Sequence, residues 1–420
     1  MAAELKAEIH RAGQGTRKPG GRPASPIKHK VIDDIGRWVL FEKSDGDLHT
    51  VGSITVDRYL IVPDSKIDLT MRIIQYLDGT HDLDWIDRQI KLEFGRSANV
   101  IELFLKLRDA GLIKTAQSPL SSQSEILNNS VSLFELQVGA IFKRLKAFQV
   151  IFSPWLVLFG LTLIAGGFMQ MRWKELTAAR SQVLLDSYLL GYIGLWFGLS
   201  VLGAIHECFH GLAGLRYGLV AKRLNGALYL GFIPYIFITI PGIYTIKPRQ
   251  RLVLWAAGIY SNLLIGGVLA LINSSLLPGS LASQFLSKLI VANLILVVFN
   301  LSPFMATDAY FIVSTLFKTP NVRTNSYEEF KKWVKGEKNG FGPFLAVYFA
   351  LSVLLIVYLL FQMVGWVIAL VTQSLRFGMT MALLVQSSPL LLIIAGLVAK
   401  TLWHHKSRSP DEQEGNQGSV

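Results

Sequence analysis

The stretch IHECFHGLAG, Ile205 to Gly214, decides how the rest of this chain is interpreted. It contains His-Glu-x-x-His and lies at the end of a long apolar run. On a helix, His206 and His210 project from one face, so both imidazoles can reach a common point. Neutral imidazole is a good zinc ligand, and a catalytic zinc site needs a third protein ligand and an open position. The stretch therefore predicts a metal site within apolar sequence.

The glutamate of the motif, Glu207, points away from the direction of the two ligands. Its carboxylate can reach a water at the metal, take a proton from it and deliver that proton to a leaving amine. Alternatively, these polar residues form an interfacial helix end that is merely solvated. Ionisable groups at membrane depth are costly and usually functional. Of the eight histidines, His206 and His210 alone lie in hydrophobic sequence, which favours zinc.

Apolar residues occur in long blocks along the chain. Of the 420 residues 51% are hydrophobic, and the mean hydropathy of +0.41 is too high for a soluble protein of this length. Six segments are long enough to cross a bilayer: 148–171, 183–206, 251–273, 284–305, 342–367 and 381–403. We predict an α-helical polytopic membrane protein with about six transmembrane helices. The polar, basic N-terminus predicts no cleavable signal peptide.

The net charge of +12 could indicate a nucleic-acid partner, but retained basic loops of a membrane protein explain it better. Lysine and arginine concentrate in 318–338 and 400–408, whereas Ser274–Gln284 contains neither. The positive-inside rule therefore places both termini and the 315–341 loop in the cytoplasm. The basic residues of 172–180 favour the opposite orientation. We expect no nucleic-acid partner.

One acidic residue is available as a third metal ligand. Between Glu207 and Glu328 the chain contains only Asp308, just after the fourth predicted span. In the orientation above, the second and fourth spans end at similar depth, where His206, His210 and Asp308 could converge. Pro303 interrupts helical hydrogen bonding before Asp308 and lets the chain turn. An ordinary helix cap is the alternative. The single cysteine excludes a cysteine zinc cage.

The segment YLGFIPYIFITIPGIYTI, Tyr229 to Ile246, is apolar but contains two prolines and many β-branched and aromatic residues. Irregular backbone is tolerated at membrane depth only where it lines a protein cavity. We therefore predict a re-entrant hairpin that could pair with an extended substrate. A kinked seventh helix is the alternative, and it would place the two metal motifs on opposite sides.

The composition divides the chain into five parts. They are a disordered basic tail (1–27), a small α+β winged-helix-like domain (28–115), a linker with an amphipathic helix (116–147), the membrane domain (148–403) and a second disordered tail (404–420). In the second part, RWVLFEK and SITVDRYLIV are predicted strands. LTMRIIQYL, LDWIDRQIKLEF and NVIELFLKLRDAGLI are predicted helices. VSLFELQVGAIFKRLKAF is predicted to lie on the inner leaflet or to lead into the first span.

The motifs of the membrane domain resemble those of site-2 protease-type intramembrane zinc metalloproteases. That family combines H-E-x-x-H with N-x-x-P-x-x-x-x-D-G, and here the second motif runs from Asn300 to Asp308 with Ala309 in place of the glycine. The resemblance implies zinc on His206, His210 and Asp308, with Glu207 as base. It also matches Gly258 and Asn262 to a Gly-x-x-x-Asn motif. The Asn262 amide would then steady an oxyanion or the substrate backbone, and a packing contact between helices is the alternative.

The winged-helix-like domain resembles PqqD-like domains. The match is carried by Leu77-Asp78-Gly79-Thr80, Leu83, Ile86, Phe94-Gly95 and the run from Phe104 to Ile113. Such domains recognise peptides, often the leader of a ribosomally made product, by adding them as an edge strand. The acidic residues on its helices argue against DNA binding. A purely structural cytoplasmic cap is the alternative.

Together these features predict a membrane-embedded zinc metallopeptidase that cleaves a membrane-associated or ribosomally made precursor peptide during maturation or export. The expected partners are that substrate, membrane lipids and proteins of peptide maturation or export. The expected location is a bacterial cytoplasmic membrane. One alternative is regulated cleavage of a transmembrane signalling protein. Another is a non-proteolytic component of peptide export or immunity, against which an intact Glu207 argues, because a structural zinc site needs no base.

Overall fold

The computed structural model describes residues 29–44, 46–95, 98–114, 130–177, 184, 187–229, 233–304, 307–337 and 342–377. The chain divides into two compact units, Met1–Ser122 and Gln123–Val420. Both predicted tails, residues 116–129 of the predicted linker and the predicted sixth span at 381–403 lie outside the described residues.

The first unit is a small α+β structure. Its elements are β1 (Lys30–Val31), β2 (Gly36–Phe41), β3 (Leu48–Ser53), β4 (Arg58–Pro63), α1 (Asp64–Tyr76), α2 (Leu83–Phe94), α3 (Val100–Asp109) and β5 (Ile113–Lys114). Strands β2, β3 and β4 form an antiparallel meander, and β1 pairs with β5. The core is mainly aliphatic, with Ile67, Ile73, Ile86, Ile90 and Leu107 among its buried members.

The predicted strand SITVDRYLIV is not continuous, which corrects that part of the sequence analysis. Strand β3 ends at Ser53, a turn follows, and β4 begins at Arg58. The carboxylate of Asp34 organises this turn by accepting hydrogen bonds from the Ser53 hydroxyl (2.6 Å) and the Thr55 N–H (3.3 Å). Asp57 adopts a left-handed conformation with φ of 54°. The Asp34 carboxylate thus satisfies the Thr55 N–H inside the turn, as Asp side chains commonly do.

The three predicted helices of this unit are present. The side chain of Asp82 accepts a hydrogen bond from the Trp85 N–H at the start of α2 (2.7 Å), which is the usual N-cap arrangement. Gly95 ends the same helix with φ of +63°, a conformation that favours glycine. Asn99 caps α3 in the same way as Asp82 caps α2.

The second unit is mainly helical. Its elements are β6 (Ser130–Gln137), α4 (Gly139–Arg144), a 3-10 helix (Leu145–Phe152), α5 (Pro154–Gln170), α6 (Trp173–Thr177), α7 (Tyr188–Arg216), β7 (Arg223–Tyr229), β8 (Ile233–Thr239), a 3-10 turn (Ile243–Thr245), α8 (Pro248–Ser275), α9 (Leu281–Asn300), α10 (Asp308–Leu316), α11 (Val322–Val334) and α12 (Pro343–Phe377).

Three of the described helices are long and apolar enough to cross a membrane: Ile193–Arg216 within α7, and all of α8 and α9. A fourth candidate is the pair formed by Gly139–Phe152 and α5, which is bent by 73°. The apolar part of α12, Pro343–Tyr358, is shorter. The chain is therefore a helical protein of membrane type, and the full set of six spans stays a prediction.

Helices α5, α8 and α9 approach one another closely at small residues. Gly167 of α5 faces Gly267 of α8, and a Cβ at Gly167 would lie 2.2 Å from the Gly267 carbonyl oxygen. Between α8 and α9, the Asn293 side-chain amide donates to the Asn262 carbonyl oxygen (2.7 Å). Small residues and interhelical hydrogen bonds are what hold helices together in lipid. They fix α8 in place beside its neighbours.

A three-stranded antiparallel sheet, in the order β6-β7-β8, lies beside the motif helix. Two predictions are affected. Within the segment predicted as a re-entrant hairpin, Ile233–Thr239 forms strand β8, paired with β7, and not a kinked helix; its re-entrant placement stays a prediction. The amphipathic helix predicted from Val131 begins only at Gly139, because Ser130–Gln137 pairs with β7 as a strand. The polar and apolar residues of Ser130–Gln137 alternate except at Leu133-Phe134, so this short segment alone does not distinguish a strand from a helix.

Candidate metal centre

The two histidines of the motif lie inside α7, not at its end, because the helix continues to Arg216. Both side chains are buried. His210 Nδ1 lies 2.8 Å from the Leu254 carbonyl oxygen of α8. A carbonyl oxygen only accepts, so this nitrogen carries a proton, and Nε2 is the nitrogen left to bind a metal. A metal-ligating histidine is normally oriented by such a second hydrogen bond.

Asp308 is brought to the histidines by a turn between α9 and α10. Helix α9 ends at Asn300 and α10 begins at Asp308 itself, as the proline predicted. The Thr307 hydroxyl donates to the Ser302 carbonyl oxygen (2.6 Å), and the Tyr348 hydroxyl of α12 donates to the Pro303 carbonyl oxygen (2.9 Å). These bonds brace the backbone immediately before the carboxylate, which is buried.

His206, His210 and Asp308 form a compact group that could bind a metal ion. His206 Nε2 lies 3.2 Å from His210 Nε2 and 3.1 Å from Asp308 Oδ2, and His210 Nε2 lies 3.2 Å from Asp308 Oδ1. Ligand atoms at zinc bonding distances in a tetrahedral site are separated by about 3.3 Å. Asp308 Oδ2 accepts no hydrogen bond among the described residues despite its burial. The donor set and its spacing therefore fit a metal ion.

Gly258 of α8 forms one wall of this group. A Cβ at this position would lie 2.4 Å from His206 Nε2 and 2.5 Å from His210 Nε2. Real Cβ atoms do not approach other atoms this closely, so any larger residue would push the imidazoles aside. The glycine of the Gly-x-x-x-Asn match thus has a physical reason: it leaves room for two imidazoles against the backbone of α8.

Glu207 lies next to the group without belonging to it. Its side chain is buried, and Oε1 lies 4.0 Å from His206 Nε2. The other oxygen, Oε2, accepts a hydrogen bond from the main-chain N–H of Ile238 in β8 (2.9 Å). The carboxylate is thus held between the metal group and the sheet. It is placed where a base acting on a water at the metal would be needed.

Asn262 lies one helical turn after Gly258 on α8 and is completely buried. Neither atom of its side-chain amide has a hydrogen-bond partner among the described residues. A buried amide without partners is costly, so it is available for a ligand. Its predicted role as an oxyanion-binding group stays a prediction.

Three contributors to the centre were missed by the sequence analysis. They are the Leu254 carbonyl, the Ile238 N–H and the Tyr348 hydroxyl. The first two are main-chain groups, which carry no side-chain signal. Tyr348 is one aromatic residue among many in an apolar helix, and only the fold shows that it reaches Pro303.

No family model, curated protein or solved structure matches this chain. The resemblances to site-2 proteases and to PqqD-like domains therefore remain hypotheses.

Proposed function

We propose that this chain is a membrane-embedded zinc metallopeptidase. The observation that carries the proposal is the buried convergence of His206, His210 and Asp308 with Glu207 beside them. Two histidines, one carboxylate and a nearby carboxylate that is not a ligand are the parts of a catalytic zinc site. When bound, zinc would supply Lewis-acid activation of a water and of the scissile carbonyl.

Glu207 then transfers the proton of the attacking water. Its Oε1, the oxygen that faces the histidines, accepts that proton and delivers it to the departing amine nitrogen. The Leu254 carbonyl oxygen holds the Nδ1–H of His210, so Nε2 is the ring nitrogen that faces the metal group. Burial of the site excludes bulk water, which strengthens each electrostatic interaction there.

The donor set alone also suits ferrous iron, which binds two histidines and one carboxylate in many oxygenases. Glu207 favours hydrolysis, because a buried base beside the ligands is what activation of water needs. The same residue argues against a non-proteolytic export or immunity component that holds zinc only structurally.

The substrate is a peptide segment at or within the membrane. The three candidate spans support a membrane-associated substrate, and the sheet beside α7 supports one that reaches the centre in extended form. We propose a ribosomally made precursor as that substrate. We further propose that the unit from Met1 to Ser122 binds a leader peptide. Both termini would lie in the cytoplasm of a bacterium, where the basic loops are retained. Regulated cleavage of a transmembrane signalling protein is the rival substrate class.

The test compares the peptides of host cells that carry the wild-type protein, Glu207→Gln or the control Glu329→Gln. Mass spectrometry reads the peptide termini. Glu207→Gln keeps the three metal ligands and loses the base. We expect a set of termini to disappear in Glu207→Gln alone, with a longer precursor accumulating. The identity of that precursor separates a maturing peptide from a signalling protein. Identical termini in all three strains, with the protein expressed, would refute proteolysis.

A further inference from the structure

Strand β8 forms an edge of its sheet, since the strand order is β6-β7-β8. Ile238 lies opposite Leu224 of β7, yet its N–H donates to Glu207 Oε2 on α7. In an antiparallel strand the N–H groups of successive residues point to opposite edges. The N–H of Ile238 therefore points away from β7 and towards the motif helix.

The two oxygens of Glu207 are consequently in different environments. Oε2 is held by the Ile238 N–H at 2.9 Å, and Oε1 lies 4.0 Å from His206 Nε2. A glutamate side chain has several rotamers, and its terminal torsion is broad. A hydrogen bond to an ionised carboxylate is stronger than one between neutral groups, so a single donor can select one orientation.

We propose that the main-chain N–H of Ile238 is the positioning group for Glu207: it anchors one carboxylate oxygen so that the other faces the metal group. This inference rests on the proposed function for its catalytic consequence. The hydrogen bond itself can be tested without substrate.

The first test is amide hydrogen exchange at Ile238 in the full-length protein in lipid nanodiscs. Glu207→Gln retains a carbonyl oxygen that can accept the bond, whereas Glu207→Ala retains none. We expect exchange at Ile238 to be about 10-fold faster in Glu207→Ala than in the wild type, and to change less in Glu207→Gln. The Phe237 amide is the internal control. Equal exchange at Ile238 in all three proteins would overturn the inference, whatever the activity.

The second test removes the donor. Ile238→Pro deletes this N–H, and a proline is tolerated where the N–H faces outward from an edge strand. Ile236→Pro imposes the same constraint two residues earlier and leaves the Ile238 N–H in place. Relative to Ile236→Pro, Ile238→Pro should lower kcat by about 10- to 100-fold, with similar KM and zinc content. The substrate is the peptide identified by comparison of termini.

The outcomes distinguish failure of the proposed peptidase function from failure of the positioning role of the Ile238 N–H. If the wild type does not cleave, the proposed function fails, and exchange still decides whether the Ile238 bond orients Glu207. If the wild type cleaves but the two proline variants share one kcat, or the loss lies in KM or zinc content, the positioning role is refuted. If Ile238→Pro does not fold, the exchange test alone decides.

Discussion

Gly258 of α8 faces the ring of His206 on α7 so closely that a methyl group at Gly258 would lie 2.4 Å from His206 Nε2. The space for the metal group is therefore defined by the main chain of one helix and the imidazoles of another. The position of α8 is set in turn by its contacts with α5 and α9. The chemistry of the centre thus depends on helix packing well outside it.

Replacement of Gly258 by alanine is expected to abolish tight metal binding, because the new Cβ would displace both imidazole nitrogens. Gly203→Ala is the matched control: it lies on α7, and a Cβ there meets no atom within 4 Å. The test is the zinc content of the two purified variants, which should be lost in Gly258→Ala and retained in Gly203→Ala. Normal zinc content in Gly258→Ala would show that the ligands are not arranged as described.

Tyr348→Phe removes the hydroxyl that holds the Pro303 carbonyl oxygen and so loosens the turn before Asp308. We expect zinc affinity to fall by about 5-fold, the equivalent of one hydrogen bond. Tyr358→Phe, on an exposed part of the same helix, should have no effect. Competition with a chromophoric chelator measures both zinc affinities. Equal affinities of the two variants would show that the Tyr348 hydroxyl does not support the turn before Asp308.

Adjacent glycines of α5 should differ sharply in their tolerance of alanine. A Cβ at Gly167 would lie 2.2 Å from the Gly267 carbonyl oxygen, whereas one at Gly166 would meet Leu271 at an ordinary 3.8 Å. Overpacking of this kind costs about 1–3 kcal/mol. Gly167→Ala should therefore unfold at a clearly lower temperature than Gly166→Ala in the same detergent. Similar unfolding temperatures would contradict the close contact of α5 with α8.

The first unit should lose stability in acid through Glu93. The Arg72 guanidinium donates to this carboxylate (2.8 Å), as does the Tyr76 hydroxyl, and together they lower the pKa of Glu93 to about 2. A carboxyl with a depressed pKa stabilises the fold above its ordinary pKa of 4.5, and this contribution is lost as pH falls towards 2.

The protection of the α1 and α2 amides, taken relative to the intrinsic exchange rate at each pH, should accordingly fall between pH 5 and pH 2 in the wild type. This acid-dependent loss of protection should be smaller in Glu93→Gln and unchanged in the control Asp87→Asn. A loss of the same size in Glu93→Gln would mean that other groups control the acid response.

The sequence predicts the parts of this protein whose signals are side chains in a regular pattern. His206 and His210 are a helical turn apart, and Asp308 is the one acidic residue between Glu207 and Glu328. It does not predict β6, because a short alternating segment is recognised as a strand only when a partner such as β7 is known. Likewise, the anchoring of Glu207 by Ile238 depends on a tertiary contact between residues 31 positions apart.

The central claim, that His206, His210 and Asp308 hold zinc, is tested most directly by X-ray absorption at the zinc edge of the purified full-length protein. We predict one zinc ion per chain, bound by two imidazole nitrogens and carboxylate or water oxygens at about 2.0–2.2 Å. His206→Ala and Asp308→Ala should each lose that signal, whereas His81→Ala should keep it. A sulfur ligand at about 2.3 Å, iron in place of zinc, or zinc retained in both ligand variants would contradict the account.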